Sequence, residues 1–191
     1  MTDLTQSYAS GTSDVPLIGA TIGAQFDAAA ARWGARDALI DRQQDIRWSW
    51  ADLKDRVDDF AAGLMDMGLE PGSRIGIWAP NCAEWTITQF ATAKAGLILV
   101  NINPAYRLAE LEYALNKVGC TALVTAAAFK TSDYLGMIRD LAPELDEAAP
   151  GELKSARLPD LRHVIRIGGD QTAGTWAFED ILARGRKAGP G

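Results

Sequence analysis

The stretch RIGIWAPNCAEWTITQFATAKAGLILVNINP, from Arg74 to Pro104, restricts the fold more than any other part of this chain. Two short apolar runs, Ile75-Gly76-Ile77-Trp78 and Leu97 to Val100, suit buried strands. The segment between them is long enough for a crossover helix, with Asn81 as its expected cap and Glu84 three residues on. Gly96 stands where a helix ends in a left-handed residue. Two buried strands joined by a helix form a right-handed parallel βαβ unit.

The flanking sequence repeats this theme. Thr21 caps an expected helix whose apolar face is Ile22, Phe26, Ala29 and Trp33, ending at Gly34. Ala38–Ile40 and Ile46–Trp48 read as a hairpin around Gln43-Gln44-Asp45. Ser49 then opens a helix in which Trp50, Leu53, Val57, Phe60, Leu64 and Met67 recur at steps of three and four, up to Gly68. Further on, Leu108, Leu111, Leu115 and Val118 mark a helix closed by Gly119. Ala122–Val124 and His163–Ile167 follow as strands, and Tyr134–Leu141 and Trp176–Leu182 as helices. The fold class is therefore α/β, a largely parallel sheet with helices on both faces. Residues 1–20 read as an extended arm, with Tyr8, Leu17 and Ile18 as its anchors, and residues 21–184 as one α/β unit. Pro-, Ala- and Glu-rich residues 142–160 suggest a mobile surface loop, and residues 185–191 have a linker composition.

Charge and cysteine content narrow the function. A net charge of −6 and a pI near 4.8 argue against a nucleic-acid partner, which requires a basic face. Cys82 and Cys120 have no metal-ligand spacing with the single histidine, His163, so free buried thiols and a reducing, cytoplasmic setting are expected. There is no transmembrane run, and the first basic residue is Arg32, unlike a secretory signal or a transit peptide. Ser10-Gly11-Thr12-Ser13 lacks a preceding strand and a Gly-Lys pair, so it is not read as a phosphate loop.

Ligands of open α/β sheets lie beyond the carboxyl ends of the strands. Those ends are Ala79-Pro80-Asn81, Asn101 to Pro104 and Thr125-Ala126. Asn101 and Asn103 could meet a ligand there or tie down their own loop. Arg107 and Lys130 could reach a phosphate or simply be solvated. Glu84 is accounted for by the expected cap, the Asp58-Asp59 pair is expected to face water, and His163 has no catalytic partner at a telling spacing.

Several motifs do resemble a known family, the adenylate-forming acyl-CoA synthetases. Trp48-Ser49-Trp50-Ala51-Asp52-Leu53 is similar to an early Leu-Thr-Tyr-x-Glu-Leu signature, with Trp50 in place of tyrosine and Asp52 in place of glutamate. Ala93-Lys94-Ala95-Gly96 through Val100-Asn101-Ile102-Asn103-Pro104 resembles a second signature. Gly63-Leu64, Met67-Gly68, Pro71-Gly72-Ser73-Arg74 and Pro80-Asn81-x-x-Glu84-Trp85 fall between them in the family's order. Asn103-Pro104-Ala105-Tyr106, Leu111-Glu112-Tyr113, Lys117-Val118-Gly119-Cys120 and Leu158-Pro159-Asp160-Leu161 look like medium-chain and bacterial fatty acid–CoA ligases.

The resemblance implies the N-terminal part of the family's large domain. It implies a ligase that uses ATP, Mg²⁺ and CoA to convert a fatty acid, through an acyl-adenylate, into acyl-CoA. The family's phosphate loop ending in Pro-Lys-Gly, its ribose-binding aspartate motif and its C-terminal lysine motif do not occur in residues 1–191. The chain by itself is thus expected to be inactive, with no catalytic residue and no metal ligand of its own. By the same resemblance, Asn103, Pro104 and Lys130 would border the nucleotide part of CoA. A luciferase-like or peptide-synthetase adenylation enzyme, or a stand-alone binding module, is the alternative, and the oligomeric state is open.

Overall fold

A computed structural model describes residues 11, 14–15, 17–169 and 171–189. Most of the expected N-terminal arm, including Tyr8 and Ser10, lies outside the described residues, while Leu17 and Ile18 are exposed rather than anchoring. The elements run α1 (Ile22–Trp33), β1 (Asp37–Asp41), β2 (Ile46–Ser49), α2 (Trp50–Asp66), β3 (Arg74–Trp78), α3 (Ala83–Lys94), β4 (Ile98–Asn101) and α4 (Leu108–Val118). They continue as β5 (Cys120–Thr125), β6 (Ala128–Phe129), β7 (Ser132–Asp133), α5 (Tyr134–Leu141), β8 (His163–Arg166), β9 (Trp176–Ala177) and α6 (Phe178–Ala188). The main sheet has the order β4-β3-β5-β8-β9 with every pair parallel, while β1–β2 and β6–β7 are antiparallel hairpins.

Alternation along β3 fixes the two layers. Ile75 and Ile77 enter one core with Ala122, Val124 and Ile165, covered by Phe26 of α1, Leu53, Val57 and Phe60 of α2, Ile87 of α3 and Ile181 of α6. Trp78 enters the opposite core with Leu123 and Val164, covered by Leu111 and Leu115 of α4 and Tyr134, Ile138 and Leu141 of α5. The expected helices on both faces are present. Phe60 and Phe178 stack at 4.1 Å, an aromatic contact worth about 1 kcal/mol beyond burial. At one edge of the sheet, β4 leaves Ile98 half exposed.

Local expectations met different fates. Thr21 and Ser49 cap α1 and α2, and Asp52 completes a capping box with Ser49. Gly68, Gly96 and Gly119 all have positive φ just beyond helices. On α1, however, Phe26 and Ala30 face the core while Ile22 is exposed, because Gly23 lies against the Lys94 backbone and rotates the helix towards α3. Residues 142–160 are not a free loop: Leu145, Leu153 and Leu158 are fully buried in the second core. Trp176 and Ala177 form a fifth strand before α6 begins.

Of the residues expected as a linker, 185–188 instead continue α6 through Ala188. The reason is a close helix crossing. A Cβ on Gly185 would lie 1.7 Å from the Asp59 carbonyl, and one on Gly63 would lie 2.1 Å from the Ile181 carbonyl. Arg184 and Arg186 of α6 pair with Asp66 and Asp59 of α2 across this seam.

Asp58 does not simply face water. Lys94 Nζ lies 2.5 Å from both Asp27 and Asp58, joining α3 to α1 and α2, and Lys54 also bonds Asp58. Burial pushes the Asp58 carboxyl upward, but hydrogen bonds from Lys54 and Lys94 outweigh it and hold the group below its ordinary range. Burial likewise opposes the charge on Lys94, and its bonds to Asp27 and Asp58 raise it above the ordinary value.

Gly185→Ala should therefore force α2 and α6 apart and destabilise the fold by about 3 kcal/mol, read from urea unfolding. A smaller midpoint shift than that of a surface Gly→Ala control would refute the close crossing. Lys94→Met should cost about 1–3 kcal/mol at neutral pH, because Asp27 loses its close cation and Asp58 keeps Lys54 alone. A carboxylate with a lowered folded pKa contributes stability present above its unfolded value, 3.8 for Asp58, and lost as pH falls through the folded value. The Lys94→Met penalty should consequently shrink below pH 3.8, and an undiminished penalty at that acidity would count against the network.

Candidate functional site

Helix α3 follows β3 onto one face of the sheet, and α4 follows the adjacent β4 onto the other. Diverging connections at neighbouring strand ends open a crevice at this point. A cleft of about 250 Å³ lies there, lined by Ala79, Asn81, Trp85, Asn101, Ile102, Asn103 and Pro104. Larger depressions lie elsewhere, including one of about 660 Å³ beside α2 and α6. That one is walled by the Asp52, Asp55, Asp58 and Asp59 carboxylates, with Arg56 and Arg186, and stands away from the strand ends.

The wall formed by Asn101 to Pro104 is fastened from below. The Trp78 indole Nε1 donates to the Asn103 carbonyl at 3.1 Å. The Tyr134 hydroxyl donates to the next carbonyl, Pro104, at 2.6 Å. Both side chains are fully buried, and their rings stack at 3.8 Å with planes 14° apart. A buried indole or phenol needs such an acceptor, so the two bonds serve the rings as well as the loop. Asn103 Oδ1 in turn accepts from Ala105 N at 2.9 Å, leaving the amide nitrogen on an exposed residue at the cleft. The reading of Asn103 as a loop tie and the reading as a cleft residue thus both describe it.

The opposite wall is held by a residue that sequence reasoning passed over. Asn81 is not the cap of α3, whose N-cap is Cys82 with no side-chain bond. Gln44, at the tip of the β1–β2 hairpin, accepts from Ala83 N at 2.7 Å and donates through Nε2 to Glu84 at 2.9 Å. The hairpin tip is shaped for this, with Asp41 accepting from the Gln43 and Gln44 amides and Asp45 at φ 53°. Glu84 is thereby engaged with Gln44 in place of the helix start.

Asn103 and Pro104 are brought together in the cleft, and Lys130 is not among the residues lining it. Lys130 is exposed at the tip of the β6–β7 hairpin, with its ammonium 5.2 Å from the Phe129 ring centre. Arg107 stands at the start of α4, where its backbone amide donates to Glu110. Burial pushes the Cys82 and Cys120 thiols up to about 12, so neither is a ready nucleophile at neutral pH. His163 opens β8, at the amino end of the sheet, and burial together with Arg162 lowers its pKa. Trp78, Tyr134 and Gln44 are the site residues that periodicity did not separate from core and turn. Their one signal was a polar tip on an otherwise core-like or turn-like residue.

A family model described as AMP-binding enzyme matches residues 26–179. Mouse medium-chain acyl-CoA ligase ACSF2, mitochondrial, is 46% identical over 181 residues, which is 95% of this chain and 29% of that protein. YngI of Bacillus subtilis is 38% identical over 170 residues, covering 88% of this chain and 31% of YngI. Among solved structures, the anthranilate CoA ligase AuaEII in complex with anthranoyl-AMP superposes with a TM-score of 0.72 at 21% identity, over 89% of this chain and 29% of that one. At that identity the likeness is one of fold. The chain spans about three-tenths of the length of these relatives.

Gln44→Ala should uncap α3 and free the hairpin tip, lowering stability by about 1 kcal/mol in urea unfolding. Gln44→Glu should be worse than Ala, since it sets a carboxylate against Glu84. Equal stability of all three proteins would remove the hairpin staple.

Proposed function

This chain belongs to the AMP-binding enzyme family, and from that premise we propose that it is the N-terminal portion of a fatty acyl-CoA ligase. The observation that carries the proposal is the 46% identity over 181 residues, 95% of this chain, with the mouse medium-chain ligase. The proposed reaction has two steps. A carboxylate oxygen attacks the α-phosphorus of ATP, forming the acyl-adenylate and releasing pyrophosphate. The thiol sulfur of CoA then attacks the acyl carbon, and AMP leaves as the thioester forms. We propose medium- to long-chain fatty acids as the acyl donors.

Within that reaction, this chain's share is one wall of the binding region. The cleft offers the amides of Asn81, Asn101 and Asn103 and is small, which fits the edge of a polar ligand and not a whole nucleotide. Mg²⁺ prefers carboxylate and phosphate oxygens. The cleft lining has no carboxylate, and no cluster of three or more metal-type side chains occurs among the described residues. These residues do not fit Mg²⁺. In our reading Asn103 and Pro104 contact the nucleotide part of CoA, with the Lys130 ammonium approaching a phosphate from the neighbouring hairpin.

The compartment is part of the proposal. Free Cys82 and Cys120 suit a reducing setting such as the cytoplasm, while the mouse relative is mitochondrial by name. Among the described residues no helix is long and apolar enough to cross a membrane. Immunolocalisation of the native protein decides between the two compartments.

The complete protein should form acyl-CoA from ATP, CoA and a fatty acid, and residues 1–191 alone should give no ATP–pyrophosphate exchange. Lys130→Ala in the complete protein should raise the KM for CoA about three- to tenfold with pyrophosphate exchange unchanged. Exchange by residues 1–191 would overturn the fragment reading, and an unaltered CoA dependence would remove Lys130 from the site.

A further inference from the structure

Trp78 and Tyr134 do more than fill the second core. Trp78 ends β3, and its backbone carbonyl accepts from Ala126 N at 3.2 Å and from the Thr125 hydroxyl at 3.3 Å, tying it to the end of β5. Its indole ties the same residue to Asn103, just past β4. Tyr134 begins α5, four residues after Lys130, and its backbone amide donates to Ala127 at 3.1 Å. The Ala127 carbonyl therefore closes the base of the short β6–β7 hairpin, while the Tyr134 phenol reaches Pro104 on the other loop. Through backbone and ring together, the two residues thus join the ends of β3 and β5, the loop after β4 and the base of the hairpin that carries Lys130.

We infer that Trp78 and Tyr134 are a positioning pair that sets the spacing between the Asn103–Pro104 loop and the Lys130 hairpin for CoA. The inference rests on the CoA-edge reading given above. Neither residue touches the ligand in this arrangement; each acts through the carbonyl it holds. The chemistry favours a spacer of this kind. A stacked aromatic pair resists shear and compression, and a hydrogen bond from each ring fixes a carbonyl on consecutive residues. An aliphatic core at the same place would bury equal area but leave the Asn103 and Pro104 carbonyls without these donors.

The test is Tyr134→Phe, which keeps the stack and removes one donor. In the complete enzyme it should raise the KM for CoA about three- to tenfold with ATP–pyrophosphate exchange unchanged. Combined with Lys130→Ala, its effect should be less than multiplicative, since both act on one spacing. Hydrogen exchange supplies a readout that needs no ligand. The Ala105 and Tyr106 amides, which donate to Asn103, should exchange faster in Tyr134→Phe. Trp78→Phe, if it folds, should show the same exchange effect through the Asn103 carbonyl. If Lys130→Ala raises the CoA KM and Tyr134→Phe does not, the positioning pair is overturned while the function stands. If neither substitution moves the CoA dependence, both the CoA-edge reading and this inference fall. Strictly independent effects of Tyr134→Phe and Lys130→Ala would also overturn it.

Discussion

The structure depends on the burial of β3 from both sides. Ile75 and Ile77 occupy one core and Trp78 the other, and each is fully inaccessible. A strand in that position leaves no solvent-facing side, so the connections on either side of it must cover opposite faces. Helices α3 and α4 do so, one after β3 and the other after β4, and the cleft is the gap left where they diverge. Position of the site and order of the sheet are therefore one fact seen twice.

What makes the cleft more than a gap is the treatment of its walls. Both are held by long-range side-chain bonds to backbone, Gln44 to Ala83 on one side and Trp78 and Tyr134 to Asn103 and Pro104 on the other. Such bonds cost little when made and cost about 1–3 kcal/mol when a buried partner is stranded. They put the loop residues on a rigid support, a general requirement for binding geometry. The exposed groups on the rim that these supports hold are the amides of Asn81, Asn101 and Asn103.

Legibility followed the physics of each signal. Three- and four-residue spacing exposed α2, whose Leu53, Val57, Phe60 and Leu64 are all buried, and the hydroxyls of Thr21 and Ser49 marked real helix starts. Glycines located helix ends because positive φ is a local demand. Signals with distant partners were lost. Asn81 looked like a cap, but the amide that caps α3 belongs to Gln44, 39 residues before the Ala83 it bonds. Asp58 looked solvated because nothing in α2 reveals Lys94 across the helix interface. Residues 142–160 looked mobile from composition, yet isolated leucines spaced through them reach a core made by other elements. Likewise the rim residues Asn103 and Pro104 were visible from strand order, while the rings beneath them read as ordinary core.

The crossing of α2 and α6 at Gly63 and Gly185 bears on how the chain is made. The second core draws on residues from Trp78 to Val164, a contiguous span. The first core is gathered from Phe26 at one end and Phe178, Ile181 and Leu182 at the other. During synthesis the nascent sheet can be roofed on one side well before the other, and Phe60 stays without its stacking partner until Phe178 has been added. Helix α6 acts as a keystone for the first core, and the glycines that admit it determine when that core can close.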